Sequence, residues 1–166
     1  MLTDYVILAA MWLFGIAGFF LLIPRNNRRK GILSFMVFQG IIWLCDMPSF
    51  KYDLLSAPVR VLPKATDLTI TINYLFYPVL FSIYYVNRRV NSSIPYRIIY
   101  YLFWVSSITL FDVILERYTN LLEYGRITWS GMWIYIGFIF FVSVLICNWF
   151  YKEELIRTKG SEPNDH

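Results

Sequence analysis

YVILAAMWLFGIAGFFLLIPRNNRRK, residues 5 to 30, decides what kind of fold this chain has. Residues 5 to 23 carry no charge. At about 1.5 Å of rise per residue they are nearly long enough to cross a hydrocarbon core of about 30 Å as a helix. Pro24 ends the run, because it has no N–H with which to continue the ladder, and Arg25, Arg28, Arg29 and Lys30 mark a headgroup region. Asp4 stands in front of it. That reverses the basic-then-apolar order of a cleavable signal peptide, so the run is expected to stay as a span.

The same pattern recurs near residues 32–49, 70–86, 98–116 and 131–151, which predicts an all-α integral membrane bundle of five transmembrane helices. Composition agrees. Of 166 residues, 58% are hydrophobic and 20% aromatic, whereas a soluble domain is roughly 45 to 50% apolar. No Gly/Ser/Pro-rich linker divides residues 1–152, which read as one transmembrane domain, and residues 153–166 read as a polar cytoplasmic tail. The weakest span is the third, TITINYLFYPVLFSIYYV, residues 69–86, which is short and carries Asn73 and Pro78. It is expected to be kinked or tilted.

Loop charge sets the orientation. Arg25, Arg28, Arg29 and Lys30 follow span one, and Arg88, Arg89 and Arg97 follow span three, with no acid in either loop. Placing both loops inside puts the N-terminus outside and the C-terminus in the cytoplasm. Ten of the fifteen Lys and Arg are then on the inner side, Lys152, Arg157 and Lys159 included. The net charge of +4 is clustered between apolar runs instead of lying along one face, so nucleic acid is not expected as a partner and the lipid bilayer of the plasma membrane is. Residues 50–69, FKYDLLSAPVRVLPKATDLT, form the long outer connection. Pro58 and Pro63 argue against a continuous helix there, and an interfacial or re-entrant segment and a solvated loop both fit. Trp43, Trp104, Trp129, Trp133 and Trp149, with many tyrosines, read as aromatic belts at the span ends.

Against this apolar background the acids stand out. Asp112 lies about 21 Å from the inner end of span four and Glu116 about 27 Å, while Asp46 lies about 22 Å along span two. Asp46 and Asp112 therefore share a height in the outer third of the membrane, with Asn73 close to that level. If span four runs on to Glu123 with Gly125 as its stop, Thr109, Asp112, Glu116, Asn120 and Glu123 share one face. An acid at the centre of a span costs about 2.5 to 3.5 kcal/mol on insertion scales, so Asp112 is expected to point inward and to find a partner. Arg60, Lys64, Arg117 and Arg126 are the cations in reach by sequence.

Four readings of this cluster of Asp46, Arg60, Lys64, Asn73, Asp112, Glu116 and Arg117 follow. The groups could form a buried network that orients helices. The carboxylates could bind a cation or relay protons. Asp46 and Asp112 could act as an aspartyl pair sharing a proton. Arg60, Lys64 and Arg117 could hold a lipid headgroup or another anion.

Other chemistry finds little support. There is no Gly-rich phosphate loop, HExxH, GxSxG or CxxC, and His166 is the single histidine, so neither a metal nor a cofactor is expected. Cys45 and Cys147 fall near opposite membrane faces and are poor candidates for a disulfide. Gly15, Gly18, Ala10 and Ala17 could let span one approach a neighbour closely, though strict GxxxG spacing is absent. Ser34, Gln39, Ser106, Ser107 and Thr109 are expected either to bond between helices or to satisfy their own backbone.

IPRNNRRKGILSFMVFQGIIWL (23–44), APVRVLPKAT (57–66), NYLFYP (73–78) and LERYTNLLEY (115–124) together resemble a family of small integral membrane proteins of spore-forming Gram-positive bacteria whose activity is uncharacterised. The matching residues are Pro58, Arg60, Pro63, Lys64, Glu116, Arg117, Tyr118 and Thr119, with Trp129 and Trp133 in the span that follows. The resemblance implies a small polytopic protein of the bacterial cytoplasmic membrane and no particular reaction. In that family an acid often stands where this chain has Asn73, which puts in doubt any scheme that needs a third carboxylate there. The expectation is a multi-pass membrane protein, more a non-enzyme than an enzyme, whose outer cluster organises the bundle or meets a membrane protein partner or a second copy. A transport-related role for Asp46, Asp112 and Glu116, and an aspartyl or lipid-modifying enzyme, are the alternatives.

Overall fold

The computed structural model describes residues 2–52, 55–56, 72–89, 93–119, 123–124 and 127–160. Among these the chain is helical apart from one short strand pair. The helices are α1 (Leu2–Leu22), α2 (Arg28–Lys51), α3 (Tyr77–Asn87), α4 (Ile94–Tyr118) and α5 (Trp129–Gly160). A 3₁₀ turn, Arg25–Asn27, joins α1 to α2, and a π-helical turn, Ile72–Phe76, leads into α3. β1 (Leu55–Ser56) pairs antiparallel with β2 (Glu123–Tyr124), Leu55 opposite Tyr124 and Ser56 opposite Glu123.

Arg25–Ser49, Ile94–Tyr118 and Trp129–Tyr151 are long and apolar enough to cross a membrane, and α1 adds the shorter apolar stretch Val6–Leu22. Their outward faces are oily. Leu21 on α1, Leu44 on α2, Phe103 on α4 and Ile134 on α5 stand 81%, 73%, 65% and 65% exposed, a pattern that suits lipid and would aggregate in water.

The five helices run up and down. Asn87 at the end of α3 donates to the Leu22 carbonyl at the end of α1, and Lys30 at the start of α2 lies over the rings of Tyr85 and Tyr151. Arg25–Lys30, and Arg88 and Arg89 with the start of α4, are therefore at one end of the bundle, and the β1–β2 pair is at the other.

The helix of the weakest predicted span, α3, is the central one. From Tyr77 to Val86 every residue of α3 is buried except Leu80, which is half-buried. Phe81 stacks on Phe38 of α2 at 4.7 Å between centroids and meets Phe140 of α5 edge-on, while Tyr84 stacks on Tyr100 of α4. On the remaining side, a Cβ at Gly15 of α1 would fall 2.9 Å from Leu75, and Gly18 faces Val79 and Ile83. At about 17 Å, α3 alone is too short for a hydrocarbon core. It needs no apolar face toward lipid, because protein encloses it, and this is why tyrosines and Ser82 are tolerated there.

Pro78 shapes the entry to α3. In α-helical register the donor to the Tyr74 carbonyl would be the N–H of residue 78, which proline lacks. Gln39 Nε2 of α2 lies 3.4 Å from that carbonyl and supplies a donor. Ser106 is likewise interhelical, accepting from Trp133 Nε1 at 3.1 Å, whereas Ser34, Ser107 and Thr109 bond to carbonyls of their own helices.

Two expectations change. α4 stops at Tyr118, where Thr119 turns extended and its Oγ1 accompanies its N–H to the Leu115 carbonyl. Glu123 therefore sits in a strand, and the polar face imagined to run on through Asn120 to Glu123 ends with Glu116. Trp104 is not at a span end. It lies mid-helix in α4, half-buried, edge-on to Tyr84 and Tyr100.

Candidate functional site

The site is built from four helices, each giving one polar side chain. Asp46 comes from the last turns of α2, Tyr77 from the first residue of α3, Asp112 from the last third of α4 and Tyr135 from the second turn of α5. The up-and-down arrangement brings all four to the end away from the basic loops. Tyr77 Oη donates to Asp112 Oδ1, and Tyr135 Oη donates to Asp46 Oδ1 at 2.5 Å. Asp112 is 0% exposed and Asp46 3%. The two carboxyls are close enough to interact electrostatically, and the Tyr135 hydroxyl also meets Ser49, whose Oγ donates to the Cys45 carbonyl at 2.9 Å. Asp112 Oδ2 is buried with no hydrogen-bond partner.

A carboxyl enclosed by apolar helices is costly unless hydrogen-bonded, and a phenol is a good partner in that setting. Its ring packs like any aromatic, and its hydroxyl delivers one short-range donor without adding a charge. Tyr77 does both: its ring lies against Phe76, and its hydroxyl joins α3 to α4. Asp46 is reached the same way from α5.

The structure thus brings Asp46 and Asp112 into one buried cluster. Glu116 shares the Asp112 face of α4 one turn further out and is half-buried, and Arg117 is exposed. Arg60, Lys64 and Arg126 lie outside the described residues, as does the Asn73 side chain, although the Asn73 backbone belongs to the π turn. Tyr77 and Tyr135 were not among the residues the sequence singled out. For Tyr77 the signal was position, in the middle of a span and away from the interface belt, whereas Tyr135 stands two residues past Trp133 and carries no such mark.

For hydrolysis by an aspartyl pair, substrate and water would have to reach both carboxyls, and here each is closed over by a tyrosine. Among the described residues no group of three or more His, Cys, Asp or Glu is placed to hold a metal ion. Both thiols are free, Cys45 beside Asp46 and Cys147 buried near the basic end. Searches against family models, curated proteins and solved structures find no match to this chain.

Proposed function

We infer that the protein is a multi-pass plasma-membrane protein of five spans, N-terminus outside and C-terminus cytoplasmic, whose carboxyl–tyrosine cluster in the outer half clasps four helices together. The cluster supports a rigid outer face that meets a membrane protein partner or a second copy; catalysis is not its role. The observation that carries this reading is that each carboxyl is enclosed and engaged by a tyrosine from another helix. Orientation is supported by the common end shared by the two acid-free basic loops. The family resemblance adds an envelope or sporulation context by association alone.

One observation favours a second reading, in which the carboxyl pair binds a cation or relays protons: Asp112 Oδ2 is buried with no partner. Asp112→Asn and Asp112→Leu separate the two. For a clasp, Asn keeps an acceptor for Tyr77 and preserves thermal stability in detergent to within about 1 kcal/mol, whereas Leu strands the phenol and costs about 1 to 3 kcal/mol. A saturable, cation-dependent rise in Tm in the wild-type protein, absent from a well-folded Asp112→Asn, would sink the clasp reading in favour of ion binding.

A further inference from the structure

The basic end of the bundle holds a cleft that the carboxyl–tyrosine cluster does not reach. It lies between α4 and α5 with a volume of about 530 Å³. That is within the range of about 300 to 1,000 Å³ typical of ligand sites. It opens sideways toward lipid, where Ile98 and Leu102 of α4 and Phe141 and Leu145 of α5 are exposed.

Its two ends differ in chemistry. At the loop end the wall contains Arg88, Arg89 and Arg97 and, among the described residues, no carboxylate, and further in it is aliphatic and aromatic. Arg88 is held in place: its guanidinium lies 4.3 Å over the Tyr85 ring, and Nη2 donates to Asn148 Oδ1, which also accepts from Tyr85 Oη at 3.2 Å. Arg88 Nε is buried and has no acceptor. α4 starts at the mouth of the cleft, and its N-cap, Ser93, makes no side-chain bond to the first turn, so the positive end of a long helix adds to the three guanidinium groups.

A free phosphate would use the arginines and leave the apolar wall idle. A zwitterionic lipid would use the wall and bring no net negative charge to Arg88 and Arg97. We propose that the cleft binds an anionic phospholipid of the leaflet facing the basic loops, its phosphate on Arg88 and Arg97 and one acyl chain along Ile98, Leu102, Phe141 and Leu145. Arginines at the loop end of an apolar groove match that ligand in the sign of its charge and in its division into headgroup and chain. The proposal rests on the membrane reading above, yet the two fail separately.

The test is thermal unfolding of the full chain in neutral detergent, titrated with phosphatidylglycerol, with phosphatidylcholine of the same chains, or with inorganic phosphate. Phosphatidylglycerol raises Tm saturably, and the other two do not. Arg97→Gln weakens the apparent affinity about fivefold. Lys51→Gln, at the opposite end, leaves it unchanged. Arg89→Gln is the second variant should Arg97→Gln not fold, and Arg88 is avoided because it is packed on Tyr85. Equal shifts from phosphatidylcholine, an equal shift from phosphate alone, or an unchanged titration in folded arginine variants would each overturn the proposal. Release of the chain from cell membranes by alkaline carbonate would instead defeat the membrane reading, whatever the lipid titration gives.

Discussion

Tyr77→Phe deletes one hydroxyl and leaves a ring of the same shape in the same pocket, so its cost isolates the bond to Asp112. Hydrogen bonds between membrane helices average about 0.6 kcal/mol and reach about 1.7, and a wholly enclosed carboxyl belongs at the upper end. Tyr77→Phe and Tyr135→Phe are each expected to lower unfolding stability in detergent by about 1 to 2 kcal/mol. Because the two carboxyls sense each other, the double variant should depart from additivity, measurable as a coupling energy in a double-mutant cycle. Strict additivity would mean two separate clasps instead of one cluster. The acids were legible in the sequence because each interrupts an oily run at a matching depth. Their partners were not, because a tyrosine in a membrane sequence reads first as an interface residue, and nothing in its neighbours says that its hydroxyl turns inward. The cations in reach by sequence, Arg60, Lys64, Arg117 and Arg126, were chosen by charge alone; at Asp112 the neutral hydroxyl of Tyr77 supplies a bond, and Arg60, Lys64 and Arg126 lie outside the described residues.

At the level of elements, the close approaches are uneven and make a sharp test. A Cβ at Gly31 of α2 would lie 3.0 Å from the Ile23 side chain, which is buried at the corner where α1, α2 and α3 meet, and the Gly31 carbonyl is 3.1 Å from Ser82 Oγ. At Gly40, on the same helix, a Cβ would meet nothing within 4 Å. Gly31→Ala should therefore destabilise by about 1 to 3 kcal/mol through overpacking, while Gly40→Ala should be neutral or stabilising by up to about 1 kcal/mol through helix propensity. Thermal unfolding of both variants in one detergent decides it; equal effects would mean that α2 is not pinned at Gly31. Four of the helices were legible because an apolar run of near-spanning length has few other uses. The centrality of α3 was not, since lipid and protein interior are both apolar, and a hydrophobic run does not say which of them surrounds it. Pro78, which with Asn73 made this stretch read as the poorest span, and Ser82 are both buried, marks of a helix shielded from lipid.

Across the whole molecule, the alternation of helix direction makes a statement about sidedness. A reporter that is active only outside the cytoplasm should be active when fused near Ser56 and silent near Ser92, because Ser56 sits in the strand pair at the end opposite the basic loops. Activity at both sites would mean that α3 does not cross, and the reverse pattern would invert the orientation. The enclosure of α3 carries a further consequence, for synthesis. The chain emerges in order, so α3 leaves the ribosome when α1 and α2 are present but α4 and α5 do not yet exist. The α4 and α5 part of its surroundings is then missing, with Tyr77 lacking its acid and Phe81 and Tyr84 lacking Phe140. This helix must wait half-dressed against the first hairpin until the last two arrive, and biogenesis of the protein is most vulnerable in that interval.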